Sequence, residues 1–596
     1  MQDAETVLAV IRERGKQGLP LDRLYRQLFN PEFYLLAYGR LYRNEGAMTK
    51  GVSGETVDAM SMTKIGNTIA LLRTERYRWT PVRRVEIPKS NGKTRPLGIP
   101  TWSDKLLQEV IRLLLEAYYE PRFSEHSHGF RPQRGCHTAL QEIAYNGTGT
   151  KWFIEGDIKG CFDNINHEVL LAILRENIHD NRFLRLMVQL FKAGYCEYWH
   201  YHPSPSGTPQ GGVISPLLAN IYLDRLDQFI EQHLIPAYTR GQRRKQNLAW
   251  VRAWNTARYR NKQGQVKEAH AWEKAARQLP RSDPFDPDFR RLRYVRYADD
   301  FLLCLAGPKG EALEIKERIK TFLRDELKLE LSEEKTLITQ AVSQAARFLG
   351  YELVVQHSNT RLSRNGARAI NGVMALRVPA EVVRTACARY MQNGKVVHRP
   401  ELMGEHDYDI VQAYQWQYAG IVNYYLLAQN VGWLHRLHRV MQTSLLKTLA
   451  NKHKLSVGKT WNTYKDKVQT AYGPRRCLRV TYQREGKEPL VARFGGLVLR
   501  RQKRAVLTDQ VPIRRPRRTE LIKRLLADTC ELCGSYEGVQ VHHIRKLADL
   551  KVKGRKAIPG WKQVMISRRR KTLVVCQTCH QAIHHGKPAR HETQPA

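Results

Sequence analysis

With 42% hydrophobic residues among 596, the chain has ample material for packed cores, which excludes wholesale disorder and provides for roughly three to five domains. Lys+Arg 98 against Asp+Glu 57 leaves a net charge of +41, which points to polyphosphate partners and salt-sensitive affinity. No apolar run approaches about 18 residues and the acidic start Met1–Glu5 has no signal-peptide core, so neither a membrane span nor a membrane partner is expected.

Residues 1–80 are expected to be helical. Leu21, Leu24 and Leu28, then Ile65, Ile69 and Leu72, recur at helical spacing around the punctuation Gly51–Val57, and no catalytic constellation stands out. From Val82 the pattern turns to strands, with Ser90-Asn91-Gly92 as a hairpin turn and Lys89 and Arg95 projecting from it. Cations there would neutralise phosphate charge during group transfer; a solvated basic hairpin is the plainer alternative. Lys151–Ile158 reads as an apolar strand that delivers Asp157 at its end, with Phe162 five residues on. Ser206–Asn220 reads as a glycine-rich turn able to approach a ligand, followed by an apolar helix. A basic insertion at about 226–292 is expected to form helices laid against RNA, or else a charged solvated excursion.

The most telling stretch is Arg293–Leu305, where Asp299 and Asp300 sit at a tight turn between apolar strands. Adjacent carboxylates in such a place are costly without a cation, and Mg²⁺ is usually held by one or two carboxylates plus substrate phosphates. Asp157, Asp299 and Asp300 together would hold two metals roughly 3.5–4 Å apart for in-line displacement at phosphorus. A polar turn with two solvated aspartates is the bland alternative. Lys335, downstream, suits either a general acid toward pyrophosphate or a surface salt bridge.

From about 365 to 500 the chain is expected to be helical and basic, with Leu434, Leu437, Met441 and Leu445 on one buried face. The run Arg500–Arg518 is a basic connector suited to phosphate contact, or a flexible linker. At the end stand Cys530-x-x-Cys533, His542-His543, Cys576-x-x-Cys579 and His580-x-x-x-His584. Two C-x-x-C knuckles match a tetrahedral structural Zn²⁺ site in a reducing compartment. His580 and His584 share a helix face, and His542 on a strand would complete a three-histidine metal site, leaving His543 to deprotonate a water.

Tyr297-Ala298-Asp299-Asp300 between hydrophobic strands, with Phe153-x-x-x-Asp157-Ile158 upstream, resembles the palm of a reverse transcriptase. Pro209-Gln210-Gly211-Gly212-x-x-Ser215-Pro216-Leu217-Leu218 resembles that family's template- and nucleotide-contacting motif, and His128–Gly135 its fingers. Ala419–Tyr425 with Ser444–Ala450 resembles the thumb, domain X, of group II intron-encoded proteins. The last module resembles an HNH, or ββα-metal, nuclease. It departs from that pattern at Gln540, where a glutamate is usual, and in having no asparagine after Asn462; Thr572 lies near the missing one's place.

The resemblance implies that Lys89 and Arg95 meet the incoming triphosphate and that Ile158 joins Asp157 at metal and nucleotide. It implies that Phe162 is the steric gate against a 2′-hydroxyl, where a core phenylalanine is the alternative, and that Gln210 meets the nascent base pair. The implied fold is multidomain α+β: a right-hand polymerase with an RNA-recognition-like palm sheet, an α-helical thumb, and a ββα-metal HNH domain with a zinc site of four cysteines. Its parts would be an N-terminal extension (1–80), fingers-palm (81–365), thumb (366–500), DNA-binding connector (501–528) and nuclease (529–596). The implied cofactors are two Mg²⁺, one structural Zn²⁺ and a nuclease Mg²⁺ or Mn²⁺. The implied function is that of a polymerase, maturase and DNA endonuclease for target-primed intron mobility. Its partners would be its own intron RNA, target double-stranded DNA, an RNA template with a DNA primer, and deoxynucleoside triphosphates. The expected setting is the bacterial cytoplasm or nucleoid, or an organellar matrix. A splicing cofactor that only binds RNA would have no need of the carboxylates and thiolates. A domesticated reverse transcriptase is the other alternative, separable by whether an intron surrounds the gene.

Overall fold

The computed structural model describes residues 3–586, apart from 89–91, 93, 198–199, 203–206, 208–210, 359, 365–367, 485–486, 508–519, 551–557 and 569. Lys89, Gln210 and the arginines 514, 515, 517 and 518 therefore lie outside the described residues.

At the centre is a four-stranded antiparallel sheet in the order Arg291–Tyr297, Asp300–Ala306, Trp152–Asp157, Leu337–Gln340. The strand Asp300–Ala306 reads as a continuous apolar run after its first residue because both of its faces are covered. Phe301, Leu303 and Leu305 face one core, shared with the N-terminal helices, while Leu302 and Cys304 face a second, shared with the helices after residue 380. The 18-residue helix Trp102–Tyr119, capped by the Thr101 hydroxyl on the Asp104 amide, is buried along most of its length and anchors the first core.

Helices Ala4–Lys16, Leu24–Gln27, Pro31–Leu41 and Met62–Arg73 fill the first eighty residues, and Leu24, Leu28, Ile65, Ile69 and Leu72 are buried as expected. Leu21 precedes its helix and bridges Ile178 instead, although it too is buried. The basic insertion forms two packed helices, Leu248–Lys262 and Val266–Gln278, whose buried residues are only Ala253, Ala257, Ala269 and Ala276. So thin a seam leaves Arg252, Arg258, Lys262, Lys267, Trp272, Lys274 and Arg277 exposed, while Trp250 and Trp254 are half-buried and stack on each other.

The helix Leu434–His453 buries Leu434, Leu437, Met441 and Leu445 completely. The all-helical expectation for 365–500 needs correction, because Lys465–Thr470, Gly473–Arg484 and Lys487–Gly495 form a three-stranded antiparallel sheet. Leu478 and Val480 point inward while Arg479 and Thr481 point out, a two-residue period hidden under a high density of basic residues. The start of the basic connector folds back onto this region, with Arg501 Nε donating to the Leu427 carbonyl at 3.0 Å.

The C-terminal module pairs strand Gln540–His543 with Thr572–Val575, followed by helix Gln577–His585. It leans on the N-terminal segment: Val541 and Met60 form an antiparallel bridge. Leu521, Ile522 and Leu525 of helix Glu520–Leu526, together with Val539, Val541 and Val574, join the first core.

The hairpin turn at Ala298-Asp299 is gripped from beneath. Arg296 is fully buried and binds the carboxylate of Asp227 through Nε at 2.7 Å and Nη2 at 2.6 Å. Its Nη1 donates to the Asn220 side chain at 3.1 Å and to the Ala298 carbonyl at 2.9 Å. The Tyr294 hydroxyl adds a bond to Asp227 at 2.6 Å. Breaking such a pair from one side leaves a buried charge uncompensated, at a cost of about 3–5 kcal/mol. Asp227→Ala is therefore expected to lower the thermal unfolding midpoint of the polymerase region, and replacing Arg296 and Asp227 together by apolar residues of similar volume to recover most of the loss. Differential scanning calorimetry of the single and double variants measures both.

Candidate active site and metal centres

The register of the central sheet sets Asp157 directly opposite Asp300, at the open end of two neighbouring strands. Asp299 precedes Asp300 in the two-residue turn closed by the pair Tyr297 and Asp300. Ala298, the other turn residue, has φ 55°, a left-handed conformation that costs an alanine energy and is held by the Arg296 grip. The run His128–Gly135 supports the same turn: the His128 amide donates to the Arg296 carbonyl at 2.9 Å. A side chain on Gly129 would place its Cβ 2.3 Å from the Ala298 nitrogen, so only glycine permits this approach.

Burial, then the charges of Asp299 and Asp157, push the Asp300 carboxyl up to about 7. Burial and the charge of Asp157 also raise Asp299. Carboxyls raised by burial and by one another's charge mark a site that a cation would relieve. The described residues supply one: Lys335 Nζ lies 3.0 and 2.9 Å from the two oxygens of Asp157. Its ammonium pKa is raised by that contact. Arg95, on the exposed strand Thr94–Ile99, is near enough for its charge to act on Asp299. Three carboxylate oxygen donors of this kind fit Mg²⁺, a hard ion that takes carboxylates and phosphates.

Phe162 is half-buried in the short helix Cys161–Asn164, with the exposed ring of Phe130 against it edge-on at 6.3 Å. Ile158 is buried beside Asp157 and bridges Leu331, and the Ser332 amide donates to the Asp157 carbonyl at 2.8 Å. Gly211, next along the chain after Gln210, packs so closely that a Cβ would lie 2.6 Å from the Gly98 carbonyl oxygen, which brings this glycine onto the strand Thr94–Ile99.

In the C-terminal module the sulfurs of Cys530, Cys533, Cys576 and Cys579 lie within 4.8 Å of one another, mostly buried. Four thiols converging in this way fit a tetrahedral Zn²⁺. His542, His580 and His584 also converge: His580 Nε2 is 3.1 Å from His542 Nδ1 and 3.2 Å from His584 Nε2. A fourth group joins them. Asp58, from the N-terminal segment, reaches His580 Nε2 at 3.2 Å and His584 Nε2 at 2.8 Å. Asp58 was not singled out from the sequence: it belongs to a group of four side chains that could hold a metal ion, brought in by a contact across 522 residues that no local pattern announces.

His543 is buried, its Nε2 lies 2.9 Å from the Tyr38 hydroxyl oxygen, and burial pushes its pKa down to about 3. In this arrangement the ring is engaged with Tyr38 rather than open to solvent. Nothing in the sequence assigns a role to Arg296, Asp227 or Asn220: Arg296 is one of three arginines in the strand Arg291–Tyr297, and nothing local marks it as the buried one.

Residues 87–353 match the reverse transcriptase (RNA-dependent DNA polymerase) family, 380–471 the type II intron maturase family, and 530–580 the AI2M/AI1M-like HNH endonuclease family. The group II intron-encoded protein LtrA of Lactococcus lactis subsp. cremoris is 39% identical over 613 residues, covering 98% of this chain and 100% of that protein. The chain belongs to the group II intron-encoded proteins. It joins a reverse transcriptase, an intron maturase and an HNH endonuclease in one polypeptide, the equipment of target-primed intron mobility. An uncharacterized 91 kDa protein in a cob intron of Schizosaccharomyces pombe is 33% identical over 97% of this chain and 71% of its own length. The protein YkfC of Escherichia coli is 35% identical over 57% of this chain and 85% of its own length. Among the described residues no helix is long and apolar enough to cross a membrane.

The raised Asp300 carboxyl of this intron-encoded protein has a consequence for stability. Between the ordinary carboxylate range and about 7, the folded, metal-free protein holds a proton that the unfolded chain has already lost. That contribution to stability is therefore lost as pH rises through the window. Melting curves from about pH 5 to about pH 8 are expected to show the midpoint falling, with the fall flattened in Asp300→Asn and offset by added Mg²⁺.

Proposed function

We propose that Asp157, Asp299 and Asp300, with the backbone at Ile158, hold two Mg²⁺ for RNA-templated DNA synthesis. The supporting observation is the strand register that sets Asp157 opposite Asp300, with Asp299 in the adjoining turn. When bound, the metals supply charge neutralisation for the triphosphate and an activated primer hydroxyl. The remaining roles fall to the chain's own groups. Arg95 and Lys89 bind the triphosphate from the fingers side. Lys335 leaves Asp157 for the departing pyrophosphate, to which its ammonium can give a proton. Phe162, with Phe130 against it, forms the floor under the sugar and excludes a 2′-hydroxyl. Gln210 aligns the nascent base pair.

The palm, with its RNA-recognition-like sheet, belongs to residues 81–365; the N-terminal extension is 1–80 and the thumb 366–500. The basic helices of the insertion at about 226–292 and the outward basic face of the thumb bind the chain's own intron RNA. The connector at 501–528 binds target DNA. The nuclease, 529–596, carries a structural Zn²⁺ on Cys530, Cys533, Cys576 and Cys579. Mg²⁺ or Mn²⁺ sits on His542, His580 and His584, with His543 as the base once it is released from Tyr38. The protein works in the bacterial cytoplasm or nucleoid, or in an organellar matrix, as a ribonucleoprotein.

Primer extension on an RNA template tests this reading. Asp299→Ala is expected to abolish extension while RNA binding is nearly retained; wild-type extension by that variant would contradict the metal assignment. Phe162→Val is expected to incorporate ribonucleotides that the wild type rejects, and unchanged selectivity would return Phe162 to a packing role.

A further inference from the structure

The nuclease cluster contains a ligand that its own module does not supply. Asp58 follows the loop Gly51–Val57 and lies against the ββα module, held there by main-chain pairing: the Ala59 amide donates to the Val541 carbonyl at 3.0 Å and the Val541 amide to the Met60 carbonyl at 2.9 Å. Both carboxylate oxygens are used. Oδ1 accepts from the His543 amide at 2.8 Å and lies 3.2 Å from His580 Nε2 and 3.5 Å from His542 Nδ1. Oδ2 lies 2.8 Å from His584 Nε2.

Three histidines leave the remaining positions of a six-coordinate Mg²⁺ or Mn²⁺ for water and phosphate oxygens, and Asp58, 3.2 Å from His580 Nε2 and 2.8 Å from His584 Nε2, is placed to take one of them. The HNH family match, 530–580, lies within the module and does not extend to Asp58. A carboxylate is also the side chain that best imitates the two non-bridging oxygens of a phosphodiester. Beside the cluster, between the N-terminal segment and the module, runs a cleft of about 1050 Å³ lined by His543, Arg43, Arg524, Arg545, Lys546 and Arg570. Glu45 and Glu520 also line it, and Arg524 and Arg570 are paired with Glu531 and Glu520, so Arg43, Arg545 and Lys546 are the groups that suit a DNA backbone. His542 Nδ1 faces Asp58, while its buried Nε2 has no partner among the described residues.

We propose that Asp58 is a fourth ligand of the nuclease metal and occupies the position of the scissile phosphate, so that the N-terminal segment latches the nuclease shut until DNA displaces it. Tyr38 is the second half of the latch: its hydroxyl engages Nε2 of His543, one of the two ring nitrogens available to a general base. Release of the module frees both the metal position and the base in one movement. The free protein is thereby kept from cutting DNA indiscriminately despite its charge of +41.

The proposal rests on the nuclease reading of the three histidines, and the experiment separates the two. Full-length wild type, Asp58→Asn and His580→Ala are compared by hydrogen exchange of the strand Gln540–His543 with and without Mn²⁺, by nicking of duplex DNA and by primer extension. In the wild type, Mn²⁺ should slow exchange of that strand about tenfold or more, because the metal ties it to Asp58. In Asp58→Asn this slowing should vanish and nicking should rise several-fold, with primer extension unchanged as proof of fold. His580→Ala should lose both the Mn²⁺ response and nicking. If His580→Ala nicks like the wild type, the nuclease reading fails and the latch with it. If His580→Ala is inactive but Asp58→Asn keeps the Mn²⁺ response, or nicks no faster than the wild type, the latch alone is overturned.

Discussion

One buried ion pair carries the catalytic end of the central sheet. Arg296 reaches from the strand before the turn to Asp227 on the helix Ser215–Phe229, and from the same guanidinium to the carbonyl of Ala298 inside the turn. Without that bond the left-handed Ala298 would be free to relax, and Asp299 would swing away from Asp157. Desolvating the pair is costly, and an apolar pair of equal volume would serve stability as well. What apolar residues could not supply is a planar donor array that fixes helix, strand and turn at once. The His128–Gly135 run closes the arrangement from the other side, so that two segments far apart in sequence both hold the turn that carries the carboxylates.

Much of this was legible in the sequence because the chemistry is local there. Two aspartates between apolar runs, and a strand ending in a third, state a hairpin and its neighbour within a few residues, and the paired C-x-x-C knuckles are equally compact. The three-stranded sheet at 465–495 was not legible, because its inward positions, Leu478 and Val480, are outnumbered by arginines on the solvent face. Asp58 was beyond reach for a different reason. A single carboxylate in a glycine-punctuated loop has no pattern, and its partners lie about as far along the chain as partners can.

That long-range contact changes how the activities relate. The palm carboxylates and the nuclease histidines are far apart in sequence, yet the nuclease module rests on the segment that packs against the helix Trp102–Tyr119, which underlies the polymerase core. Val541, Val574 and Ile522 share that core with Leu303 and Leu305 of the central sheet. Moving the nuclease onto DNA therefore means exposing part of an apolar surface, which the cell's nucleic acid must offset. The high positive charge supplies a means, since phosphate contacts release counterions and reward binding strongly at low salt.

RNA-templated synthesis at this site requires that Asp157, Asp299 and Asp300 gather two metal ions. Anomalous diffraction at the manganese edge, from crystals of the protein with an RNA template, a DNA primer, Mn²⁺ and a non-hydrolysable deoxynucleoside triphosphate, tests it directly. Two peaks roughly 3.5–4 Å apart between Asp157 and the Asp299-Asp300 turn are the predicted result. Bound nucleotide with no anomalous peak at those carboxylates would contradict it.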